Sequence, residues 1–248
     1  MKRKLFVATS LAALGLGGCG QIKDALSNEN GPMGQLLDSA EGLNYAVIGT
    51  RGRAREYTDA DVDKEFRVNS LDTPGDSGYQ GLARGGFHSY LLPVDGLVDH
   101  PQVFPLAHLR ALPQQTQITR HDCVEGWSAI GKWRGIPLAT ILALVKPQAN
   151  ARYVVFSSYD KDENGTPFYG SLDLHEAAHP QTLLALDLND KPIDPDHGAP
   201  VRLRVPTQLG YKSTKWVKKI TLVSTFANLG AGKGGYWEDQ GYAWYAGI

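Results

Sequence analysis

Cysteine is nearly absent from the 248-residue chain, which holds only Cys19 and Cys123. A disulfide framework of the kind that staples small secreted domains is therefore excluded, and the fold must rest on its core. A surplus of charge of one sign is lacking too: 25 basic and 26 acidic residues leave a formal net charge of −1. Functions that need a positive field, nucleic-acid binding above all, are excluded on that ground. No internal repeat or low-complexity tract occurs, so solenoid, collagen-like and coiled-coil architectures drop out. No apolar run reaches the ~20 residues that span a bilayer. The haem-attachment pattern C-x-x-C-H is missing as well.

What is present suits a globular body. Hydrophobic residues make up 42% of the chain, and 5 Trp, 11 Tyr and 7 Phe point to a packed interior or a lined pocket. The N-terminus follows a different logic. Met1 to Lys4 is basic, Leu5 to Leu16 is a short apolar run, and Leu16-Gly17-Gly18-Cys19 follows. These are the flanks of a secretory signal rather than of a membrane span. The Leu-Gly-Gly-Cys ending resembles the lipobox of bacterial lipoproteins, in which the cysteine is acylated. The expected organisation is a signal peptide over 1–18, a lipid anchor on Cys19 with a linker over 19–57, and one folded domain over 58–248. The polar, Gly-rich stretch from Gln21 to Asn44 serves as the spacer. The protein is then exported and held at the periplasmic face of a membrane, where stable anchoring takes more than one acyl chain.

Periodicity places a mixture of short elements on the body. Thr58-Asp59-Ala60-Asp61 caps a short helix through Phe66. Ser89 to Val98 reads as a strand ending in an Asp-Gly turn, and Leu106 to Leu112 as a short helix closed by Pro113. Thr116 to Arg120 is a strand running into His121-Asp122-Cys123. Pro137 to Val145 has proline at its start and Leu138, Ile141, Leu142 and Val145 at helical spacing. Tyr153 to Ser157, Val201 to Val205 and Lys219 to Phe226 are strand candidates. Strands outnumber short helices, which gives an α+β class with much irregular backbone.

Three motifs carry a chemistry that their surroundings oppose. His175-Glu176-Ala177-Ala178-His179 matches the zinc-protease helix pattern, but Pro180 blocks its continuation and no third ligand follows at the required spacing. Asp160-Lys161-Asp162-Glu163-Asn164-Gly165 opens like a calcium loop, yet its twelfth position is Ser171 and Pro167 interrupts it. Gly230 to Gly235 satisfies G-x-G-x-x-G without room for the helix and strand a dinucleotide fold needs.

Two further segments agree with each other. Cys123 stands at a strand end in Arg120-His121-Asp122-Cys123-Val124-Glu125-Gly126-Trp127-Ser128, and a thiolate there is a soft ligand for a polarizable metal. His197 to Pro206 (HGAPVRLRVP) and Gly210 to Val217 (GYKSTKWV) gather Arg, Lys, Ser and Thr donors around glycine turns, as an anionic phosphate requires. Read alone, the first is also compatible with a buried structural cysteine and the second with a solvated basic face.

Together these segments resemble the sulfite-oxidase-like molybdopterin oxidoreductases. Cys-Val-Glu-Gly-Trp-Ser is similar to the family's metal-ligating cysteine motif, and the two later segments to its pterin phosphate-binding region. Leu92 to Val98, Glu176 to Pro180 and Gly235 to Glu238 fit as well, so the likeness runs from about Phe66 to the C-terminus. It implies a mixed-sheet molybdopterin-binding domain with one molybdenum, one pyranopterin and Cys123 as the protein's metal ligand. Asn69, Ser158, His197, Arg202, Lys212, Ser213 and Lys215 are implied cofactor contacts, and His121 is placed near the metal as a second catalytic residue. His197 stands where some relatives have Asn.

The implied reaction is oxygen-atom transfer to or from a small sulfur-containing substrate. Sulfite would need several converging cations, for which Arg67, Arg120 and Arg134 are candidates; a neutral sulfoxide would favour aromatic walls. The family's dimeric sulfite oxidases add a β-sandwich domain after the metal domain, whereas this chain ends at Ile248, nearer in size to the periplasmic methionine-sulfoxide reductase type. With no haem motif in this chain, a separate haem- or quinone-linked partner handles the electrons. Loading of pterin in the cytoplasm would call for twin-arginine export, but Lys2-Arg3-Lys4-Leu5-Phe6 is only a Lys-Arg variant of that signal, so Sec export stays open. The rival readings are a zinc hydrolase on His175, Glu176 and His179, and a non-catalytic lipoprotein that keeps the fold.

Overall fold

The computed structural model describes residues 31, 39–46, 52–69 and 73–248. The chain divides into two compact units, Met1–Ala46 and Val47–Ile248. In the first, residues 39–46 are helical, where an irregular spacer was expected. The signal sequence and Cys19 lie outside the described residues. Among the described residues no helix is long and apolar enough to cross a membrane.

The described residues of the second unit form ten strands and five α-helices. The strands are β1 (Leu91–Gly96), β2 (Gln102–Pro105), β3 (Gln115–Asp122), β4 (Ser128–Pro137), β5 (Tyr153–Lys161), β6 (Pro167–Asp173), β7 (Leu183–Leu188), β8 (Lys191–Pro192), β9 (Arg202–Arg204) and β10 (Val217–Val223). The helices that punctuate them are α1 (Ser77–Arg84), α2 (Leu106–Ala111), α3 (Leu138–Val145), α4 (Leu174–Ala177) and α5 (Tyr236–Asp239). One sheet has the order β2-β1-β10-β5-β6, with β1 and β10 parallel. The other runs β3-β4-β7-β8, and β9 also pairs with β7.

The larger core is shared by the two sheets. β1 alternates, burying Leu92 and Val94, and β10 buries Ile220 and Leu222. Ile136, Leu184 and Leu203 from the second sheet join the same cluster, and α3 lays Leu138, Ile141, Leu142 and Val145 onto it. Each such side chain contributes about 1.5–3 kcal/mol when fully buried. β7 is buried at all six residues, because Ala185 faces a second cluster with Phe66, Trp133 and Leu188.

Boundaries differ from expectation in two places. The helix after Thr58 is a single 3-10 turn, Asp59–Asp61, in which the Asp61 carboxylate accepts from both the amide and the hydroxyl of Thr58. One oxygen of Asp61, Oδ2, takes both bonds of the cap, and Asp63 is drawn away to the Ile130 amide. The body also begins before residue 58: Tyr57 donates to the Ile118 carbonyl, Glu56 bridges Thr119, and the Gln181 side chain holds both the amide and the carbonyl of Ala54.

The Asp-Gly turn after β1 has a steric reason. Gly96 has φ +87, and a Cβ there would stand 2.2 Å from the Leu222 carbonyl oxygen of the parallel neighbour. Gly96→Ala is expected to destabilise the body by about 2 kcal/mol or more. Thermal unfolding should register a drop of roughly 4–8 °C for a body of this size.

Candidate functional site

The β3–β4 hairpin delivers the sulfur. Its connection closes on itself: the Cys123 amide donates to the Trp127 carbonyl at 2.9 Å, and the Gly126 amide to the Cys123 carbonyl at 3.1 Å. Asp122 pins the strand ends together, pairing with Arg120 at 2.9 Å and accepting from the Ser128 hydroxyl at 2.5 Å. His121 is thereby buried one pleat behind, and Cys123 is a free, half-buried thiol.

The cations come from the other end of the chain. Arg202 and Arg204 stand two apart in β9 and share one face, while Leu203 between them enters the core. Their guanidinium carbons lie 5.2 and 5.4 Å from the ring centroid of the fully buried Trp133. Beyond the 3-10 turn Gly210–Lys212, the Lys215 ammonium donates to the Asn69 side-chain oxygen and the Asp196 carbonyl, each at 2.8 Å. Trp216 is held at φ +51 by its indole N–H on the Pro195 carbonyl, 2.6 Å away. A bulky residue in the left-handed region is strained, and its ring packs 4.0 Å from the Lys215 ammonium. The Ser158 hydroxyl donates to the Lys215 carbonyl, and the Ser213 hydroxyl accepts from the Val205 amide.

These side chains enclose a cavity of about 290 Å³. Asn69, His121, Cys123, Ser158, Arg202, Ser213 and Lys215 all line it. The rest of its lining is mixed: the rings of Phe168, Tyr169, Tyr211, Trp216, Trp237 and Tyr242 stand with Val124, Gly210, Thr214 and the carboxylates Glu125 and Asp160. Trp237 and Tyr242 stack at 5.5 Å, and Tyr242 meets Tyr211 edge-on at 5.2 Å. Tyr211, Trp216 and Trp237 lie within segments that resemble the family pattern; Phe168, Tyr169 and Tyr242 carry no signal that singles them out in sequence. Gly210 is needed where it is, because a Cβ would come within 2.5 Å of His121 Nε2.

Two of the implied contacts lie elsewhere. Lys212 does not line the cavity; its ammonium is buried against the Glu238 carboxylate of α5, beneath the Trp244 ring. The 3-10 turn reverses its direction relative to Ser213 and Lys215, and a buried carboxylate claims the charge. His197 borders a small adjoining hollow, with Nδ1 on Asp194 at 2.8 Å and Nε2 on the Phe66 carbonyl at 2.9 Å.

The zinc, calcium and dinucleotide patterns all resolve into structural roles. Helix α4 stops at Ala177, so His179 leaves the face of His175, while the Glu176 carboxylate is buried on the Thr207 hydroxyl. Among the described residues no group of three His, Cys, Asp or Glu side chains could hold a metal. Asp162 accepts from the amides of Asn164 and Thr166 and so caps the β5–β6 turn. In the glycine-rich loop, the amides of Ala231 and Lys233 point at the Asp239 carboxylate in place of a phosphate.

The electrostatics favour an anionic guest with a soft-ligand requirement. Burial, with Arg202, Arg204 and Lys215 nearby, drives the His121 pKa well below the usual imidazole value, so the ring is neutral. Burial pushes Arg202 down to about 10 and Lys215 down to about 7. Burial raises the Cys123 thiol, opposed by the Glu125 backbone and by Arg202 and Arg67. His121 Nδ1 and Arg202 Nε are buried without a hydrogen-bond partner in the protein. Buried polar atoms without partners are rare in native proteins. One thiol, a neutral imidazole and two buried cations around a single void therefore fit a metal carried by an anionic organic ligand.

Comparison with known proteins gives the same direction. The family model of the oxidoreductase molybdopterin binding domain matches residues 83–228, more than half of the chain. A protein named as a protein-methionine-sulfoxide reductase subunit, YedZ1 of Azospira oryzae, is 44% identical over 159 residues, 64% of this chain and 56% of its own length. The protein-methionine-sulfoxide reductase catalytic subunit MsrP of Ralstonia nicotianae is 36% identical over 189 residues, 72% of this chain and 56% of its own. The chain thus spans little more than half of the curated relatives it matches. The solved structure of the sulfane dehydrogenase SoxCD from Paracoccus pantotrophus shares the fold, with TM-score 0.50 and 22% identity over 56% of this chain and 39% of that one.

Two measurements check the electrostatic assignments. In chain free of any bound group, Lys215 is protonated below pH 7 in both the folded and the unfolded state, so its buried charge is a constant burden there. Between pH 7 and the ordinary lysine value the folded state sheds that proton first, so stability should rise with pH through this window. Denaturant titrations at pH 6.5 and 9 should show the rise in wild type and a smaller one in Lys215→Met. Lys212→Met should instead cost about 3–5 kcal/mol at neutral pH, because it strands the buried Glu238 carboxylate.

Proposed function

Because the chain belongs to the family of oxidoreductase molybdopterin binding domains, we propose that it is a molybdenum-dependent oxidoreductase that reduces a small neutral sulfoxide. Cys123 would ligate the metal, and Asn69, Ser158, Arg202, Ser213 and Lys215 would hold the pterin and its phosphate through charge-assisted hydrogen bonds. When bound, the group supplies a two-electron redox centre through which one oxygen atom is exchanged with the substrate. The overall change balances as sulfoxide plus two electrons and two protons giving sulfide and water. His121, neutral and buried in the cavity wall, orients rather than charges the reacting end.

The observation that carries the choice of substrate is the cavity lining. Six aromatic side chains line the cavity, a surface suited to a neutral methyl- or alkyl-substituted sulfur, and the carboxylates Glu125 and Asp160 in the same lining disfavour an anion such as sulfite. None of the three arginines that sulfite would call on lines the cavity. Arg120 pairs with Asp122, Arg134 faces Asp187, and Arg67, over the Trp127 ring, borders only the small adjoining hollow. The names carried by both curated relatives support the same direction.

The reading extends to the chain's setting. The basic Met1 to Lys4, the apolar Leu5 to Leu16 and Leu-Gly-Gly-Cys support an exported lipoprotein acylated at Cys19 and held at the periplasmic face. Electrons would then come from a separate haem- or quinone-linked partner.

Purified protein should contain about one molybdenum per chain and no stoichiometric zinc. With an artificial electron donor, methionine sulfoxide should turn over at least tenfold faster than sulfite does with an artificial acceptor; the opposite ranking overturns the substrate assignment. Cys123→Ser should lower sulfoxide turnover at least 100-fold, because a hydroxyl cannot replace the soft thiolate.

A further inference from the structure

Arg204 lies outside the set of residues assigned above, yet it is the most deeply buried cation near the site, with no measurable exposure. One of its nitrogens, Nη2, donates to the Arg120 carbonyl at 2.6 Å and to the Thr119 hydroxyl at 3.1 Å. Nε and Nη1 have no partner, and no carboxylate pairs with it among the described residues. Burial pushes its pKa down to about 9, with Arg202 adding to the effect. An apolar side chain of similar size would serve stability better at such a position. The apolar strand around it, Val201-Arg202-Leu203-Arg204-Val205, would accept one without a change of fold.

What Arg204 touches explains its presence. β3 is the edge strand of its sheet, so the carbonyls on its outer side lack a strand partner. One of them, on Ile118, is satisfied by the Tyr57 amide. Outward carbonyls recur every second residue, and the next belongs to Arg120, whose donor is Arg204. Past that point β3 carries only His121 and Asp122 before the turn at Cys123. Arg204 also bounds one face region of Trp133, against which Arg202 packs as it enters the cavity wall.

We propose that Arg204 is a positioning residue: by holding the Arg120 carbonyl and the Thr119 hydroxyl, it fixes the free end of β3 and with it the placement of His121 and Cys123. That consequence for the metal rests on the reading of Cys123 as its ligand; the effect on the thiol does not. The geometry also explains why the residue is arginine. A guanidinium reaches two acceptors from one rigid plane, whereas methionine fills the space and offers no donor.

The test uses the full chain in two forms. Protein made in a host unable to synthesise pterin is treated with iodoacetamide well below its unfolding midpoint, and modification is followed on the Cys123 peptide by mass spectrometry. Arg204→Met is expected to speed alkylation at least fivefold, as the strand end loosens, and Arg204→Lys, which keeps a donor for the Arg120 carbonyl, to return it most of the way to wild type. A methionine variant within twofold of wild type overturns the proposal, as does a lysine variant as reactive as the methionine one. If Arg204→Met does not fold, Thr119→Val removes one of the two contacts and should raise the rate at least twofold; an unchanged rate is then the refutation. Protein made in a pterin-competent host should lose at least two-thirds of its molybdenum in Arg204→Met. Wild type without molybdenum would defeat the cofactor assignment and leave the alkylation comparison standing. Wild type rich in molybdenum, with equal thiol reactivity in all variants, would defeat the role of Arg204 alone.

Discussion

Two guanidiniums buried on one face of a three-residue strand, both packed on one indole, are the constraint on which the site depends. Among the described residues no carboxylate forms a salt bridge with Arg202 or Arg204, and each guanidinium lies a little over 5 Å from the Trp133 ring centroid. Charges so placed are tolerable only if the surroundings are rigid and some anion completes them. The rigidity comes from β7, which is buried on both faces and carries β9 on one edge and β4, with Trp133, on the other. Cys123 and Arg202 line the same cavity.

The layout separates binding from chemistry along the chain. The thiol comes from a tight hairpin early in the body, stiffened by Asp122 and its two partners. The cations come from a segment some eighty residues later, where β9 and a strained turn around Trp216 set Arg202 and Lys215. The C-terminal stretch closes the aromatic wall and is itself fastened by the buried Lys212–Glu238 pair. The hairpin and β9 belong to one sheet, joined through β7, while the C-terminal stretch packs apart from it, so the cavity is the place where three separate stretches of chain meet. A site assembled in this way pre-organises its ligands, because no single loop movement can loosen all of them.

Much of the fold was legible where one periodicity dominated. Leu138, Ile141, Leu142 and Val145 announced α3, and the apolar–basic alternation from Val201 announced β9. Elements buried on both faces were not legible. β7 reads Leu-Leu-Ala-Leu-Asp-Leu, a run that suits a buried strand or a helix equally, and only its neighbours decide. β3 and β5 ran beyond their apolar stretches because ladder partners, β4 and β6, continued alongside. The site shows the same division. Cys123, Arg202, Ser213 and Lys215 could be read from residue type and resemblance. Lys212 could not be told from Lys215, since both are lysines in one basic segment and only the turn between them sends one to Glu238 and the other to Asn69.

By itself the order of amino acids determined the chemistry available: one soft sulfur, a late cluster of cations, a neutral overall charge and enough apolar surface for a core. Those are properties of side-chain type and spacing, and they hold before any folding. Only the tertiary structure decided which cations face the sulfur, which is spent on a buried carboxylate, and which arginine of the VRLRV stretch turns instead to the end of β3. Such outcomes turn on strand pairing and burial between residues far apart in the chain, where distance and desolvation, not identity, set the energy.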